Sequence, residues 1–234
     1  DLFITSNDQE KDIIYNYFGY KRKQIAVTGL CRWDVLEDKS ENSREILVVP
    51  TWRSWLEDVD DDVFMESDYY KNYMKLLNSK ELEEMLEKYD VKLNFYLHTK
   101  FKEYMSDFHI SGNRIRLIPF GEEPLNELMM KCKLLITDYS SVCWDVFYQG
   151  KPVIFYQFDT EQYLISHGSY IDFDTDLFGD RTKEIPELLE LLEEYICTDF
   201  KLKDQYAVMR ESCYKYIDND NSRRICEEIK KRKW

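Results

Sequence analysis

The chain has 234 residues, of which 44% are hydrophobic and 15% aromatic, with 18 tyrosines. This is globular composition at a length that buries a substantial core, so one large domain, or one with helical extensions, is expected. The formal net charge of −14 argues against nucleic-acid backbone or anionic lipid as the main partner, because both select a basic surface. An anion bound here has to be held by a local site.

Short apolar runs recur with helical patterns between them. Strands are predicted at Leu2 to Thr5, Gln24 to Thr28, Ile46 to Pro50, Lys92 to His98, Arg114 to Ile118, Lys133 to Thr137 and Pro152 to Tyr156. Asn7 to Phe18 opens on an N-cap and places Ile13, Ile14 and Tyr17 at helical spacing. Asp68 to Tyr89 carries Tyr73, Leu76, Leu77, Leu82, Met85 and Leu86 and reads as two helices split near Asn78-Ser79. Strands alternating with helices imply βαβ units and a mostly parallel sheet. After Asp159 the pattern turns helical, at Ile185 to Ile196, Lys201 to Ile217 and Asn221 to Lys231. The expected division is a Rossmann-like core over 1–160 and a mostly helical part over 161–234.

Leu134 to Asp159 is the most informative stretch. Leu134, Leu135 and Ile136 form a run of the kind buried in a parallel sheet, and Thr137-Asp138-Tyr139-Ser140-Ser141 is the polar turn beyond it. Ser140 or Ser141 is a natural N-cap for a helix burying Val142, Trp144, Val146 and Phe147, which stops at Gly150-Lys151-Pro152 before the next strand. A helix start at the carboxyl end of a sheet strand suits phosphate.

The six cysteines show no CxxC or Cys/His ligand spacing and read as reduced core residues in a cytosolic compartment, with no zinc site. No apolar run approaches the roughly 20 residues that span a bilayer, and the acidic start is not a signal peptide. Lacking an initiator Met and opening on a strand-like LFIT, the chain is expected to be a fragment of a longer protein. Glu57 to Asp62 reads as a solvated acidic loop and Lys230 to Lys233 as a helix end that solvates the terminus.

Ligands bind at the carboxyl ends of strands in open α/β sheets, so the strand ends locate the site. They are Gly29-Leu30-Cys31-Arg32, Pro50-Thr51-Trp52-Arg53, Tyr96-Leu97-His98, and Ser140-Ser141. The segments TGLCRWDVL, VVPTWRSW, FYLHTK, TDYSSVCWDVFYQGKPVIFYQFD and HGSYIDFDTDLFG, in that order, resemble the carboxyl-terminal half of the CDP-glycerol glycerophosphotransferase family, the teichoic acid and capsule polymerases of bacteria. The resemblance runs from about Asp1 to the final helix. It implies an α/β fold, a Rossmann-like parallel sheet flanked by helices that forms the donor-binding half of a GT-B architecture. The amino-terminal half, which in the family contacts the acceptor and holds a further catalytic His, has no counterpart here.

Carried over residue by residue, the resemblance places donor contacts on Arg32, Pro50, Thr51, Tyr96, Leu97, His98, Ser140, Ser141 and Asp145. The serines and helix N–H groups would hold the pyrophosphate, and the backbone at Pro50-Thr51 and Tyr96-Leu97 would read the cytosine edge. Asp145 would meet ribose hydroxyls, since a carboxylate repels phosphate. Cys31 replaces the proline usual before the Arg, and Tyr96-Leu97 replaces a more basic pair. His98 would be the catalytic residue and, if cationic, would neutralise charge building on the pyrophosphate, helped by Arg32, as glycerol phosphate leaves CDP-glycerol for a growing polymer and CMP departs. His109 and His167 read as surface or packing residues. No metal or cofactor is expected beyond the donor, and the partners implied are CDP-glycerol and a lipid-linked polymer acceptor, with no nucleic acid. The full protein is expected in the cytoplasm, peripheral on the inner face of the membrane. The alternatives are a CDP-ribitol transferase, a nucleotide-sugar GT-B half, and a nucleotide-binding module without chemistry.

Overall fold

The computed structural model describes residues 1–101, 104, 107–110 and 112–232. The chain opens with strand β1 (Phe3–Thr5), helix α1 (Asp8–Tyr17) and strand β2 (Ile25–Val27), then a short 3₁₀ turn at Cys31–Val35. Strand β3 (Glu45–Val49) leads through helices α2 (Asp61–Glu66), α3 (Asp68–Leu77) and α4 (Lys80–Lys88) to β4 (Lys92–Tyr96). Next come β5 (Ile115–Ile118), α5 (Leu125–Lys131), β6 (Leu134–Thr137), α6 (Val142–Tyr148), β7 (Val153–Tyr156) and α7 (Thr160–Ser166). Strand β8 (Asp180–Thr182) and helices α8 (Ile185–Cys197), α9 (Asp204–Cys213) and α10 (Asn221–Lys231) complete it.

The main sheet is parallel, in the order β5-β4-β3-β6-β7-β8. Its central strands are apolar on both faces because helices cover both. Ile46, Val48, Leu134, Ile136, Ile154 and Tyr156 point into one core with α3, α4 and α8. Leu47, Val49, Leu135, Val153 and Phe155 point into the other with α5 and α6. The long helical pattern after β3 splits where expected: Asn78 closes α3, and the Ser79 hydroxyl accepts the Leu82 N–H to start α4.

Four features differ from the sequence reading. β1 and β2 do not join the main sheet but form a separate two-stranded parallel pair. The region after residue 160 adds a strand that the sequence reading did not list, β8, which extends the sheet beside β7. Asp61 and Asp62 lie in the first turn of α2, where carboxylates complement the helix dipole, so only part of the acidic stretch is loop. Cys132 and Cys143 are buried as expected, but Cys31, Cys197 and Cys226 are exposed. Lys230 and Lys231 end α10, with Lys231 bonded to Glu228, while Lys233 lies outside the described residues. Among the described residues no helix is long and apolar enough to cross a membrane, and no three His, Cys, Asp or Glu side chains gather as a metal site would need.

The turn after β2 is clamped by the last helix. Asp34 accepts the backbone N–H groups of Asn221 and Ser222, at 2.8 and 2.7 Å, and the Asn221 side-chain amide at 2.8 Å. Gly29 has φ +76°, and a Cβ there would fall 1.9 Å from Asn221 Oδ1, so the close approach of α10 requires glycine. Burial pushes the Asp34 carboxyl up, but hydrogen bonds from Ser222 and Asn221 outweigh it and hold it below its ordinary value. A depressed folded-state pKa contributes stability at neutral pH that is lost as pH falls through it. Asp34→Asn is therefore expected to cost about 1 kcal/mol at pH 7 and much less at pH 3, as urea melts at the two pH values would show. An equal cost at both would refute the carboxylate's part.

Candidate functional site

Adjacent parallel strands β4, β3 and β6 end at one edge of the sheet and deliver His98, Pro50-Thr51 and Asp138 to Ser141 side by side. The fold thus gathers the residues expected from four strand ends, three directly and Arg32 by a longer route. Arg32 leaves the separate β1-β2 pair, and Asp145 of α6 captures it: Arg32 Nε donates to Asp145 Oδ1 at 2.8 Å, and the Trp33 indole N–H donates to the same oxygen at 2.5 Å. Trp33 is buried, and Asp145 nearly so, while the Arg32 side chain is 54% exposed. The carboxylate expected at a ribose is engaged from inside the protein, and it orients the guanidinium.

At the end of β3, the Thr51 N–H donates to Asp138 Oδ1 at 2.8 Å and the Thr51 carbonyl accepts Arg53 Nη1 at 2.7 Å. Thr51's backbone is thereby committed internally and does not suit the role of reading a base edge. Its hydroxyl is buried without a hydrogen-bond partner among the described residues. Tyr96 and Leu97 send their side chains into opposite cores, so only main-chain groups at that strand end face a ligand.

His98 is half-buried and stacks on Trp52, with ring centroids 6.4 Å apart. Its Nδ1 accepts the Lys100 N–H at 3.2 Å, which leaves the neutral ring's proton on Nε2. Burial, and then the Lys100 charge, push its pKa below the ordinary histidine value. Of the two forms the sequence left open, the lowered pKa favours the neutral ring, which presents Nε2–H as a donor. Of the other two histidines, His109 and His167 are both exposed, and His167 stacks on Tyr163 at 4.7 Å.

Ser140 and Ser141 sit at the start of α6, but the capping expected of them is weak. Ser141 makes no side-chain cap bond, and the Ser140 hydroxyl accepts the Val142 N–H only at 3.5 Å. With seven residues, α6 carries a small dipole. The hydroxyls are correspondingly less tied up by the helix.

Arg53, named at the end of β3 by the sequence reading, was left out of its donor contacts and given no role. It is fully buried and donates through Nε to Asp159 Oδ2 at 2.7 Å and through Nη2 to Asp159 Oδ1 at 3.0 Å. Nη2 also pairs with Asp138 Oδ2 at 2.8 Å, and the Tyr139 hydroxyl donates to Asp159 at 3.0 Å. Burial opposes the Arg53 charge, but Asp138 and Asp159 outweigh it and raise its pKa above the ordinary value. One guanidinium thus locks together the ends of β3, β6 and β7 beneath the serines. The signal was present in VVPTWRSW, where a lone Arg interrupts apolar residues just after a buried strand.

Parallel strands ending in polar turns, helices on both faces and a terminal helix clamped over the β2 turn define the class: an α/β fold of GT-B type, a parallel sheet flanked by helices. Solved structures share it. The wall teichoic acid polymerase TagF, in a variant soaked with CDPG, superposes with a TM-score of 0.72 at 22% identity over 99% of this chain and 57% of that one. A putative UDP-N-acetylglucosamine 2-epimerase from Listeria monocytogenes matches with a TM-score of 0.59 at 20% identity, over 98% of this chain and 59% of that one. The model of the family CDP-Glycerol:Poly(glycerophosphate) glycerophosphotransferase matches residues 1–231, and the chain belongs to that family. The minor teichoic acid biosynthesis protein GgaB of Bacillus subtilis (strain 168) is 28% identical over 238 residues, 97% of this chain and 26% of GgaB. The chain therefore spans little more than half of the solved relatives and about a quarter of GgaB.

Proposed function

We propose that the chain is the donor-binding half of a glycerophosphotransferase that takes glycerol phosphate from CDP-glycerol. The observation that carries this reading is Arg32, held by Asp145 with its fork half-exposed beside Ser141, in a chain of this family. A hydroxyl of a growing teichoic acid or capsule polymer would attack the β-phosphorus in line. The new O–P bond forms as the P–O bond to CMP breaks, and the hydroxyl's proton passes to a base. Such chemistry is served mainly by positioning and charge stabilisation. Arg32 supplies the fixed cation, Ser140 and Ser141 supply hydroxyl donors, and neutral His98 offers Nε2–H to a phosphoryl oxygen. The base belongs to the amino-terminal half that the family carries, and the acceptor's lipid end would keep the whole protein at the inner face of the membrane.

Titration calorimetry of this chain with CDP-glycerol, CDP-ribitol, CMP and UDP-GlcNAc tests the reading. Binding of the cytidine ligands with little turnover is expected. Preference for UDP-GlcNAc would overturn the donor assignment, and full polymerase rate from the isolated chain would overturn its being half a site.

A further inference from the structure

Between the first turn of α1 and α6 lies a cavity of about 440 Å³, within the usual range for small-molecule sites. Gln9, Glu10 and Ile13 of α1, Leu30 and Arg32 of the turn after β2, and Ser141 are among its walls. Arg32 and Ser141 belong to the donor constellation; the α1 residues do not.

The strand order fixes what reaches this cavity. His98 and Pro50-Thr51 stand at the ends of β4 and β3, Ser140-Ser141 beyond β6, and Arg32 beyond them against α6. A nucleotide whose base lies over β3 and β4 and whose phosphates meet Ser140, Ser141 and Arg32 sends whatever follows those phosphates into the cavity.

The chemistry of the far wall selects that group. Glu10 Oε2 accepts the Ser6 N–H and hydroxyl at 2.6 Å each, which fixes the carboxylate in place, while Oε1 has no hydrogen-bond partner among the described residues. Gln9 is exposed and its amide is likewise unbonded among them. A fixed carboxylate repels a further phosphate but accepts from hydroxyls, and an amide both donates and accepts. Ile13 and Leu30 offer apolar surface to a short carbon skeleton.

We propose that this cavity is a polyol subsite, in which Glu10 and Gln9 bind the hydroxyls of the alcohol that the donor carries beyond its pyrophosphate. The inference rests on the donor reading above, and CMP, which lacks the polyol, separates the two. In calorimetry, Glu10→Gln is expected to weaken CDP-glycerol about tenfold and Gln9→Ala about fivefold, with CMP affinity changed less than about twofold. The Gln9 side chain makes no hydrogen bond among the described residues, so its variant stays informative should Glu10→Gln disturb the start of α1. Parallel loss for CMP and CDP-glycerol, or no loss for either, overturns the subsite, as does equal wild-type affinity for the two. Wild-type chain that binds neither ligand overturns the donor reading itself.

Discussion

Arg53→Met is expected to lower the stability of the fold by about 3–5 kcal/mol, the cost of breaking a buried ion cluster from one side, and to lower Tm by about 6–20 °C. Arg53 is fully buried, and its charge stands against two carboxylates, Asp138 and Asp159. Removal leaves both anions within a wall of aromatic rings: Tyr69, Tyr139 and Tyr163 lie 5.0 to 5.6 Å from the guanidinium carbon. Asp159→Asn should cost less, because the amide still accepts from Arg53 and the charge of the cluster falls from −1 to zero. Arg53→Lys should fall between, since an ammonium keeps the charge but not the bidentate fork. Melting of Arg53→Met within about 2 °C of the parent, at a stability scale of about 2–4 °C per kcal/mol for this chain length, would show that the cluster does not hold the strand ends.

The same cluster shows where sequence reading stops. Strands β3, β6 and β7 were legible because burial on both faces writes them as apolar runs, β4 because Leu93, Phe95 and Leu97 alternate along it, and the break between α3 and α4 because Asn78 and Ser79 are capping residues. Asp180–Thr182 was not legible. It is a three-residue edge strand of sequence Asp-Arg-Thr with no apolar alternation, and it pairs only because β7 offers a free neighbour. The segregation of β1 and β2 was equally hidden, since a strand's apolar residues do not state which sheet they join. At the site, the strand-end residues could be read from the resemblance, but their bonding could not. Arg53, Asp138 and Asp159 come from three separate strand ends, and only the parallel order of β3, β6 and β7 brings them together. The protonation state of His98 was not legible either, because the burial that chiefly lowers its pKa, and the Lys100 charge that adds to it, act only once the turn is folded.

Asp145 gives the sharpest test of how the donor site is built. Arg32→Ala is expected to weaken CDP-glycerol about 10- to 100-fold, the loss of a charge-assisted hydrogen bond to phosphate worth about 1.5–3 kcal/mol. Asp145→Asn should weaken it by less, because an amide oxygen still accepts from Arg32 Nε and from the Trp33 indole but no longer pins the guanidinium by charge. The double variant decides between two roles for the carboxylate. If Asp145 acts through Arg32, then once Arg32 is alanine the second substitution has nothing left to misplace, and the double variant binds no worse than Arg32→Ala alone. If Asp145 also meets a ribose hydroxyl directly, the two losses add. Trp33 supplies the structural control. Its indole nitrogen depends on the same oxygen, so a loss of affinity caused by general loosening would be accompanied by a red-shifted, quenched tryptophan emission in Asp145→Asn. On the proposed donor reading, a sub-additive cycle with unchanged emission is the expected result, with the buried Asp145 carboxylate acting through the Arg32 guanidinium that it orients.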